Sequence, residues 1–345
     1  MITGSDDGTA RLWKSDVDPV AAVLGRHGGA GRAVAFTPDG SLIASVGLDR
    51  TVRLGQGRRL VRFIRLPADA VDVVLSPDGR LLATAGVDGT ALLWRVDDGS
   101  RVLSLPHGSP LRAIAFDPAG TRLATAGEDG TARVWQVATG RELRAFRHGG
   151  VVTGASFSPD GTRLATAGAD GEGRVWRVRD GQVVGRLIGH EHELTSIAFS
   201  PTGRQIVTAS IDADARLWSS STFRTKRLLR GHAAVVSEAT FSPDGRWIAT
   251  AGPTTIGVWE AVTGRRIDAG TPVLYVRGHG PRVRSVAFAS DSRRIASTGD
   301  DGTVRAYRCE LCGTTEELVN VARRRLDRLG SNLTPAERQR YLGGR

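Results

Sequence analysis

Short apolar segments separated by turns run along most of the chain, and apolar and polar positions alternate within them. The segment AIAF at 113–116 is followed by the turn DPAG, and the next two segments, TRLATAG and TARVWQV, are joined by the tight turn EDG. Segments of about five residues, with turns every eight to twelve residues or so, are typical of β-strands. The pattern has no helical spacing here. It therefore predicts an all-β architecture over most of the chain.

The same group of segments recurs along the chain. Residues 82–102, 123–143 and 164–184 have nearly the same sequence, and the period is close to 41 residues. The position that closes each unit is occupied by Trp13, Gly55, Trp94, Trp135, Trp176, Trp218, Trp259 and Tyr307. A period of this length indicates stacked units that bury a continuous core together.

Three further positions keep a fixed distance within most units. Ser or Thr stands ten residues before the closing position, Asp stands six before it, and His stands twenty-two before that Asp. Together with turns such as SPDG, this pattern resembles the WD-repeat β-propeller family over residues 1 to about 308.

The resemblance implies a structural network inside each blade, running from Trp to Ser or Thr, then to His and Asp. A buried indole N–H, hydroxyl and imidazole each require a hydrogen-bond partner, which gives the network its physical reason. Repetition of one His–Asp arrangement favours architecture over a catalytic pair. The implied network consists of His27, Ser45, Asp49, Thr84, Asp88, Trp94, His107, Thr125, Asp129, Trp135, His148, Thr166, Asp170, Trp176, His190, Thr208, Asp212, Trp218, His232, Thr250, Trp259, His279, Ser297 and Asp301.

Counting strands by the family's pattern predicts a seven-bladed propeller. The last unit supplies three strands, and the lone strand PVAAVLGRH at 19–27 would complete its blade, which removes exposed sheet edges. Residues 1–15 would then be surplus strands of an upstream blade, residues 16–308 the propeller and residues 309–345 a tail. The alternative is an eight-bladed ring that uses every unit.

Two units depart from the pattern, and we expect them to form the weaker blades; the alternative is that they are sites adapted for a partner. Gly55 stands where a Trp closes most other units, and AGPTTIG at 251–257 lacks the Asp.

The sequence after Arg308 has helical spacing. TTEELVNVARRRLDRLG and LTPAERQRYL predict two short helices, the second with Thr334 as its cap and Pro335 at its first position. The tail is similar to those that follow the last repeat in bacterial, notably actinobacterial, multidomain proteins. This resemblance implies the C-terminal part of a larger bacterial signalling protein with an upstream effector domain. Cys309 and Cys312 have the spacing of half a zinc site, of a redox pair, or of two structural thiols.

Composition limits the remaining possibilities. The net charge of +11 suggests an acidic partner or nucleic acid, but the arginines are spread along the repeats, which favours a basic surface. Two cysteines, no secretion signal and no apolar run long enough for a bilayer make a cytoplasmic protein the expectation.

Loops at one face of the propeller, the upper face, are expected to bind a protein or peptide partner. Neither a phosphate-binding GxxxxGK[ST] motif nor a GxSxG motif is found, so we predict no catalytic residue, cofactor or metal site. The alternatives are a hydrolase or lactonase built on the propeller, and weak polyanion or nucleic-acid binding through arginine. The upper face is predicted to include Arg32, Asp69, Arg112, Glu128, His192, Glu193, Arg282, Arg284 and Asp300.

Overall fold

The fold was analysed in a computed structural model. It describes residues 2–4, 10–12, 22–56, 59–261, 274–277, 279–280 and 282–308. The predicted tail helices, Cys309 and Cys312 lie outside the described residues. Within them every regular element is a β-strand, and the strands form seven four-stranded antiparallel sheets and one separate pair.

Each four-stranded sheet is one blade of a propeller. Blades 1 to 3 follow one another along the chain, each running from the inner strand to the outer strand. Blade 1 consists of Gly31–Phe36, Ile43–Gly47, Thr51–Gln56 and Arg59–Arg65. Blade 2 consists of Ala70–Leu75, Leu81–Gly86, Thr90–Arg95 and Arg101–Pro106. Blade 3 consists of Leu111–Phe116, Arg122–Gly127, Thr131–Gln136 and Glu142–Arg147.

Blades 4 to 6 repeat this order. Blade 4 consists of Val152–Phe157, Arg163–Gly168, Gly173–Arg177 and Val183–Leu187. Blade 5 consists of Leu194–Phe199, Gln205–Ser210, Ala215–Ser219 and Thr225–Leu229. Blade 6 consists of Glu238–Phe241, Trp247–Ala251, Thr255–Glu260 and Leu274–Arg277.

Blade 7 joins strands from both ends of the described chain. Its first three strands are Val283–Phe288, Arg294–Gly299 and Thr303–Arg308, and its outer strand is Ala22–Arg26. Ala22 lies opposite Ala306 and Arg26 opposite Thr303 in an antiparallel ladder. The predicted closure is therefore confirmed.

The inner strands form a closed ring, because each contacts the next and blade 7 contacts blade 1. The backbone N–H of Val34 donates to Ser285 Oγ at 3.2 Å across this last junction. Ile2–Gly4 and Ala10–Leu12 pair with each other in a separate sheet. The propeller has seven blades, and the eight-bladed alternative is wrong.

The core lies between adjacent blades. The second strands, with sequences such as LATAG, are buried almost throughout because a neighbouring blade covers each face. Small alanines let the sheets approach closely, and larger side chains of the first and third strands fill the remaining space. Trp218 and Trp259 are the largest fully buried side chains. Burial of one large apolar side chain contributes on the order of 1.5–3 kcal/mol, so the repeated units stabilise each other.

Candidate functional site

A cavity of about 530 Å³ opens where the inner strands begin. The turns between second and third strands lie on this side, which is the upper face. The lining includes the second residue of six inner strands and the residue just before the sixth blade's inner strand. These residues are Arg32, Val71, Arg112, Thr153, Thr195, Ser237 and Arg284. Because all seven blades contribute an equivalent position, the cavity lies on the axis of the propeller.

Strand alternation explains which residues reach the axis. The residue before each lining position is buried between blades, as Leu111, Val152 and Leu194 show with exposures of 1%, 0% and 0%. The next side chain points to the opposite face of its strand, which here is the axial channel. The third residue again turns away from the mouth and meets the neighbouring inner strand.

Four arginines are the positively charged residues of the lining, and we call Arg32, Arg112, Arg282 and Arg284 the arginine cluster. Two of them have carboxylate partners. A guanidinium nitrogen of Arg112 lies 2.6 Å from Glu128 Oε1. Arg284 donates to both carboxylate oxygens of Asp300, at 2.6 and 2.7 Å. Paired in this way, these two side chains are held in place and largely neutralised.

The other two arginines have no ion pair within 4 Å among the described residues. Arg282 Nε–H donates to Ser237 Oγ at 3.0 Å. Arg32 Nε is buried and has no hydrogen-bond partner. An unpaired buried donor costs about 1–3 kcal/mol. Burial, and then the positive charge of Arg284, lower the pKa of Arg32 and of Arg282.

The predicted upper-face residues divide into three groups. Six of the nine line the cavity: Arg32, Arg112, Glu128, Glu193, Arg282 and Arg284. Asp300 holds Arg284, and Asp69 acts on Arg32 electrostatically, as the weakest of that residue's four charged neighbours. His192 is exposed and outside the lining. Their role in partner binding stays a prediction.

Several lining residues were missed by reasoning from charge. They are Leu48, Val71, Val87, Pro110, Leu111, Thr153, Thr195 and Ser237. For most of them the signal was positional: Val71, Thr153 and Thr195 hold the second place of an inner strand, and Leu48 and Val87 stand just before the turn Asp.

Polar side chains also join neighbouring blades around the channel. Thr153 Oγ1–H donates to the carbonyl of Leu194, and Thr195 Oγ1–H donates to that of Val236, both at 2.5 Å. Deeper in the channel, Asp72 Oδ2 accepts from the N–H of Ile114 and Glu238 Oε2 accepts from that of Val286, both at 2.9 Å. These bonds tie the inner strands into a rigid wall.

Burial raises the pKa of Asp72 to about 6. It also raises the pKa of Glu238 to about 7, and the charge of Asp72 adds to the effect. The folded protein therefore holds protons on these carboxyls that the unfolded chain releases. Their contribution to stability is full below about pH 4.5 and is lost as the pH rises to about 7.

We expect Glu238→Gln to remove part of this pH dependence. Glutamine keeps an oxygen for the Val286 N–H and carries no charge. Urea unfolding at pH 5 and pH 8 measures the free energy of unfolding of both proteins. Between pH 5 and pH 8, the difference between variant and wild type should change in favour of the variant by up to about 3 kcal/mol, since one pKa unit corresponds to about 1.4 kcal/mol. An equal difference between variant and wild type at both pH values would contradict a raised pKa.

The larger cavity of about 820 Å³ lies on the lower face between blades 4 and 5. Its arginines already have partners in the fold. Arg122 pairs with Asp117 at 2.8 Å, Arg177 pairs with Asp180 at 2.9 Å, and Arg163 donates to the carbonyl of Ser220 at 2.9 Å. The axial cavity is therefore the better candidate for binding.

The blade network is complete in blade 5. Nδ1 of His190 lies 2.7 Å from Asp212 Oδ2, and its Nε2 lies 2.8 Å from Thr208 Oγ1. The indole N–H of Trp218 donates to the same hydroxyl at 2.8 Å. Blade 7 keeps the same order with Tyr307 in place of Trp: His279 lies 2.7 Å from Asp301 and 2.8 Å from Ser297.

Blades 1 and 2 depart from this arrangement. His27 lies 3.0 Å from Asp49 and 2.9 Å from Ser45, but the closing residue is Gly55. In blade 2 the buried Leu66 stands where a histidine would be, and the Trp94 indole donates to Thr84 at 3.3 Å.

Blades 3, 4 and 6 depart in other ways. The ring of His107 is reversed, with Nδ1 2.8 Å from Thr125 and Nε2 3.2 Å from Asp129. Nδ1 of His148 lies 3.5 Å from Asp170. His232 lies 2.6 Å from Thr250, and Thr254 occupies the place of the missing aspartate.

The sequence model of the family described as WD domain, G-beta repeat, matches seven segments of this chain. They are residues 22–54, 60–95, 99–136, 140–177, 181–219, 223–260 and 270–308. The chain belongs to the WD40 repeat family. No curated protein matched this sequence.

The WD40 repeat is offset from the blade by one strand. The first matched segment begins with Ala22–Arg26, the outer strand of blade 7, and then supplies three strands of blade 1. Because of this offset, the first repeat contributes its first strand to blade 7, and the pairing of that strand closes the ring. WD40 propellers typically serve as scaffolds for protein interactions and are usually not catalytic.

One member of this WD40 network was missed from the sequence: an arginine four residues after the turn aspartate. The distances are 3.5 Å for Arg53–Asp49, 3.2 Å for Arg133–Asp129, 2.9 Å for Arg174–Asp170 and 3.0 Å for Arg305–Asp301. Gly257 occupies this place in blade 6, which lacks the aspartate, and Leu92 occupies it in blade 2, which lacks the histidine. The arginine thus occurs in the blades that keep both the histidine and the aspartate.

Over the part of this WD40 chain that the structure describes, no three His, Cys, Asp or Glu side chains come together as a metal site. No helix in that part has the length and apolar character needed to span a membrane.

Proposed function

We propose that this WD40 propeller is a protein-interaction module whose partner binds at the axial cavity of the upper face. The observation that supports this most is the lining itself, to which all seven blades contribute an equivalent position. Such a site is rigid, because inter-blade hydrogen bonds hold its wall. Rigid sites lose little conformational entropy on binding.

We propose further that the chain is not an enzyme. The His–Asp pairs repeat from blade to blade, and the imidazoles of His27, His107, His190 and His279 have 0% side-chain exposure. A substrate would not reach them. The channel carboxylates Asp72 and Glu238 are engaged with backbone N–H groups, which supports a structural role.

The wider setting is proposed from the resemblance of the tail alone. We propose that the propeller is the sensor or scaffold part of a larger bacterial signalling protein with an effector domain upstream. The cytoplasmic location expected from the sequence stays a prediction.

The test uses a bulky substitution that leaves charge unchanged. Peptides are selected from a phage-displayed random library on the wild-type protein, and their affinities are measured by calorimetry. Val87→Trp places a large ring at the cavity mouth, where Val87 is 40% exposed. Val183→Trp is the control, because Val183 is 42% exposed on the outer strand of blade 4.

We expect the selected peptides to lose at least tenfold in affinity with Val87→Trp and to bind normally to Val183→Trp. Equal binding to both variants would place the partner elsewhere and refute the proposal. Thermal unfolding of both variants checks that each is folded.

A further inference from the structure

The charge of the axial cavity is unbalanced. Its lining carries four arginines and two glutamates, and Asp300 neutralises Arg284 from outside the lining. At the mouth of the cavity, four positive charges against three negative charges leave one positive charge, while Asp72 and Glu238 lie deeper and accept hydrogen bonds from backbone N–H groups. Asp69 lies outside the lining and has a smaller effect on Arg32 than Arg284, Asp300 or Arg112.

The excess charge belongs to Arg32 and Arg282. Arg112 and Arg284 are each within 2.6 Å of a carboxylate oxygen, whereas Arg32 and Arg282 have no such partner among the described residues. Arg32 also keeps a buried, unpaired Nε–H. Burial, and after it the positive charge of Arg284, lower the pKa of both side chains. A ligand with one negative charge would supply what both arginines lack.

The rest of the lining is apolar on one side. Leu48, Val71, Val87 and Pro110 stand between the positions of Arg32 and Arg112 in the order of the blades. Apolar side chains next to a guanidinium exclude water and strengthen its interaction with an anion. The same residues offer contact area to apolar groups beside that anion. A free inorganic anion would bind the arginines but would leave the apolar residues without a contact.

We propose that the cavity binds an acidic peptide segment, placing one Asp or Glu carboxylate between Arg32 and Arg282 and flanking apolar side chains on Leu48, Val71 and Val87. This inference rests on the proposed function, since it names the chemistry of the partner at the same site. The carboxylate accepts hydrogen bonds from both guanidinium groups, and Arg32 Nε–H gains an acceptor. The single net charge of the cavity favours a carboxylate over a doubly charged phosphate.

The probes are four pools of fluorescent nine-residue peptides with random flanks. Their central residue is glutamate, glutamine, lysine or phosphoserine. Anisotropy titrations compare the 345-residue chain with its variants Arg32→Gln and Arg282→Gln. Arg179→Gln is the matched control, because Arg179 is 80% exposed on the lower face and its removal changes the net charge equally.

The glutamate pool should bind at least tenfold more tightly than the glutamine pool, and the lysine pool should bind worst. Arg32→Gln and Arg282→Gln should each weaken the glutamate pool about tenfold and leave the glutamine pool unchanged. Arg179→Gln should change neither. Thermal unfolding of each variant checks that a loss does not arise from misfolding.

Three results would overturn the inference. Equal binding of the glutamate and glutamine pools would do so, while the proposed function would survive if Val87→Trp abolished both. Binding of the phosphoserine pool without the glutamate pool would replace the carboxylate by a phosphate. If Arg179→Gln weakened binding of the glutamate pool equally, the preference for glutamate would depend only on the net charge of the protein.

Discussion

Deletion of residues 1–26 should destabilise the propeller severely, whereas deletion of residues 1–12 should leave its stability nearly unchanged. The longer deletion removes Ala22–Arg26, which pairs with Thr303–Arg308 and completes blade 7. The shorter one removes strands that pair only with each other in their own sheet. Four residue pairs are lost from the closing ladder, and at about 1 kcal/mol for each hydrogen bond the cost is at least about 4 kcal/mol.

Guanidinium unfolding and size-exclusion chromatography measure this effect. We expect the longer deletion to lower the unfolding midpoint and to promote association, because Thr303–Arg308 becomes an exposed sheet edge. A synthetic peptide of residues 19–27 should restore part of the stability by adding the missing strand. A ring that stays equally stable without residues 1–26 would contradict closure by this strand.

Acid should destabilise the protein through its blade histidines. Burial lowers the pKa of five of them, His27, His107, His148, His190 and His279. Burial lowers that of His232 to about 4, and Thr254 stands in the aspartate's place in blade 6. Because the neutral form is favoured in the fold, the contribution is full above about pH 6.5 and is lost as the pH falls towards 4.

The loss of stability at acid pH can be calculated for His232. A folded pKa of about 4 against an ordinary value of 6.5 corresponds to about 3 kcal/mol lost by pH 4. Asp72 and Glu238 act in the opposite direction, whereas Asp301, whose pKa is lowered to about 2, acts in the same direction as the histidines. Net destabilisation on acidification is therefore expected.

His232→Asn separates this contribution from the others. At pH 7 the variant should be less stable than wild type by about 1–2 kcal/mol, because the contact with Thr250 is weakened. As the pH falls to 4.5 the difference should shrink or reverse, since only wild type must protonate a buried imidazole. His192→Asn, at an exposed site, should follow the wild-type curve. A constant difference across the pH range would show that His232 does not titrate as described.

Much of the fold could be predicted because the sequence of each repeat specifies the local structure of that repeat. Alternating apolar positions, tight turns and a fixed register of Ser or Thr, His, Asp and Trp recur every 41 residues or so. A strand missing at one end and a spare strand at the other were enough to predict closure. The departures at Gly55 and at AGPTTIG were visible because they interrupt the repeat. Their effect on the blade network depended on which residues stand at its other positions, such as Leu66 and Gly257.

The candidate site was predicted less completely. Position in the repeat brought six of nine charged residues to one cavity. The prediction did not include Val71, Thr153 and Ser237, which complete the ring of lining residues, because it was directed at charged side chains. Nor did it separate His192, which is exposed outside the lining.

By itself, the sequence determined the strands from short-range periodicity repeated along the chain, and the resemblance to the WD-repeat family then implied the seven blades and the closed ring. Only the tertiary structure decided which charges meet. Arg112 is held by Glu128 and Arg284 by Asp300, while Arg32 and Arg282 are left with excess charge. Each of these two pairs lies within one blade, but Arg32 and Arg284, whose charges interact, come from blades 1 and 7, which are far apart in sequence. No local pattern encodes the distance between two guanidinium groups across the axis of a propeller.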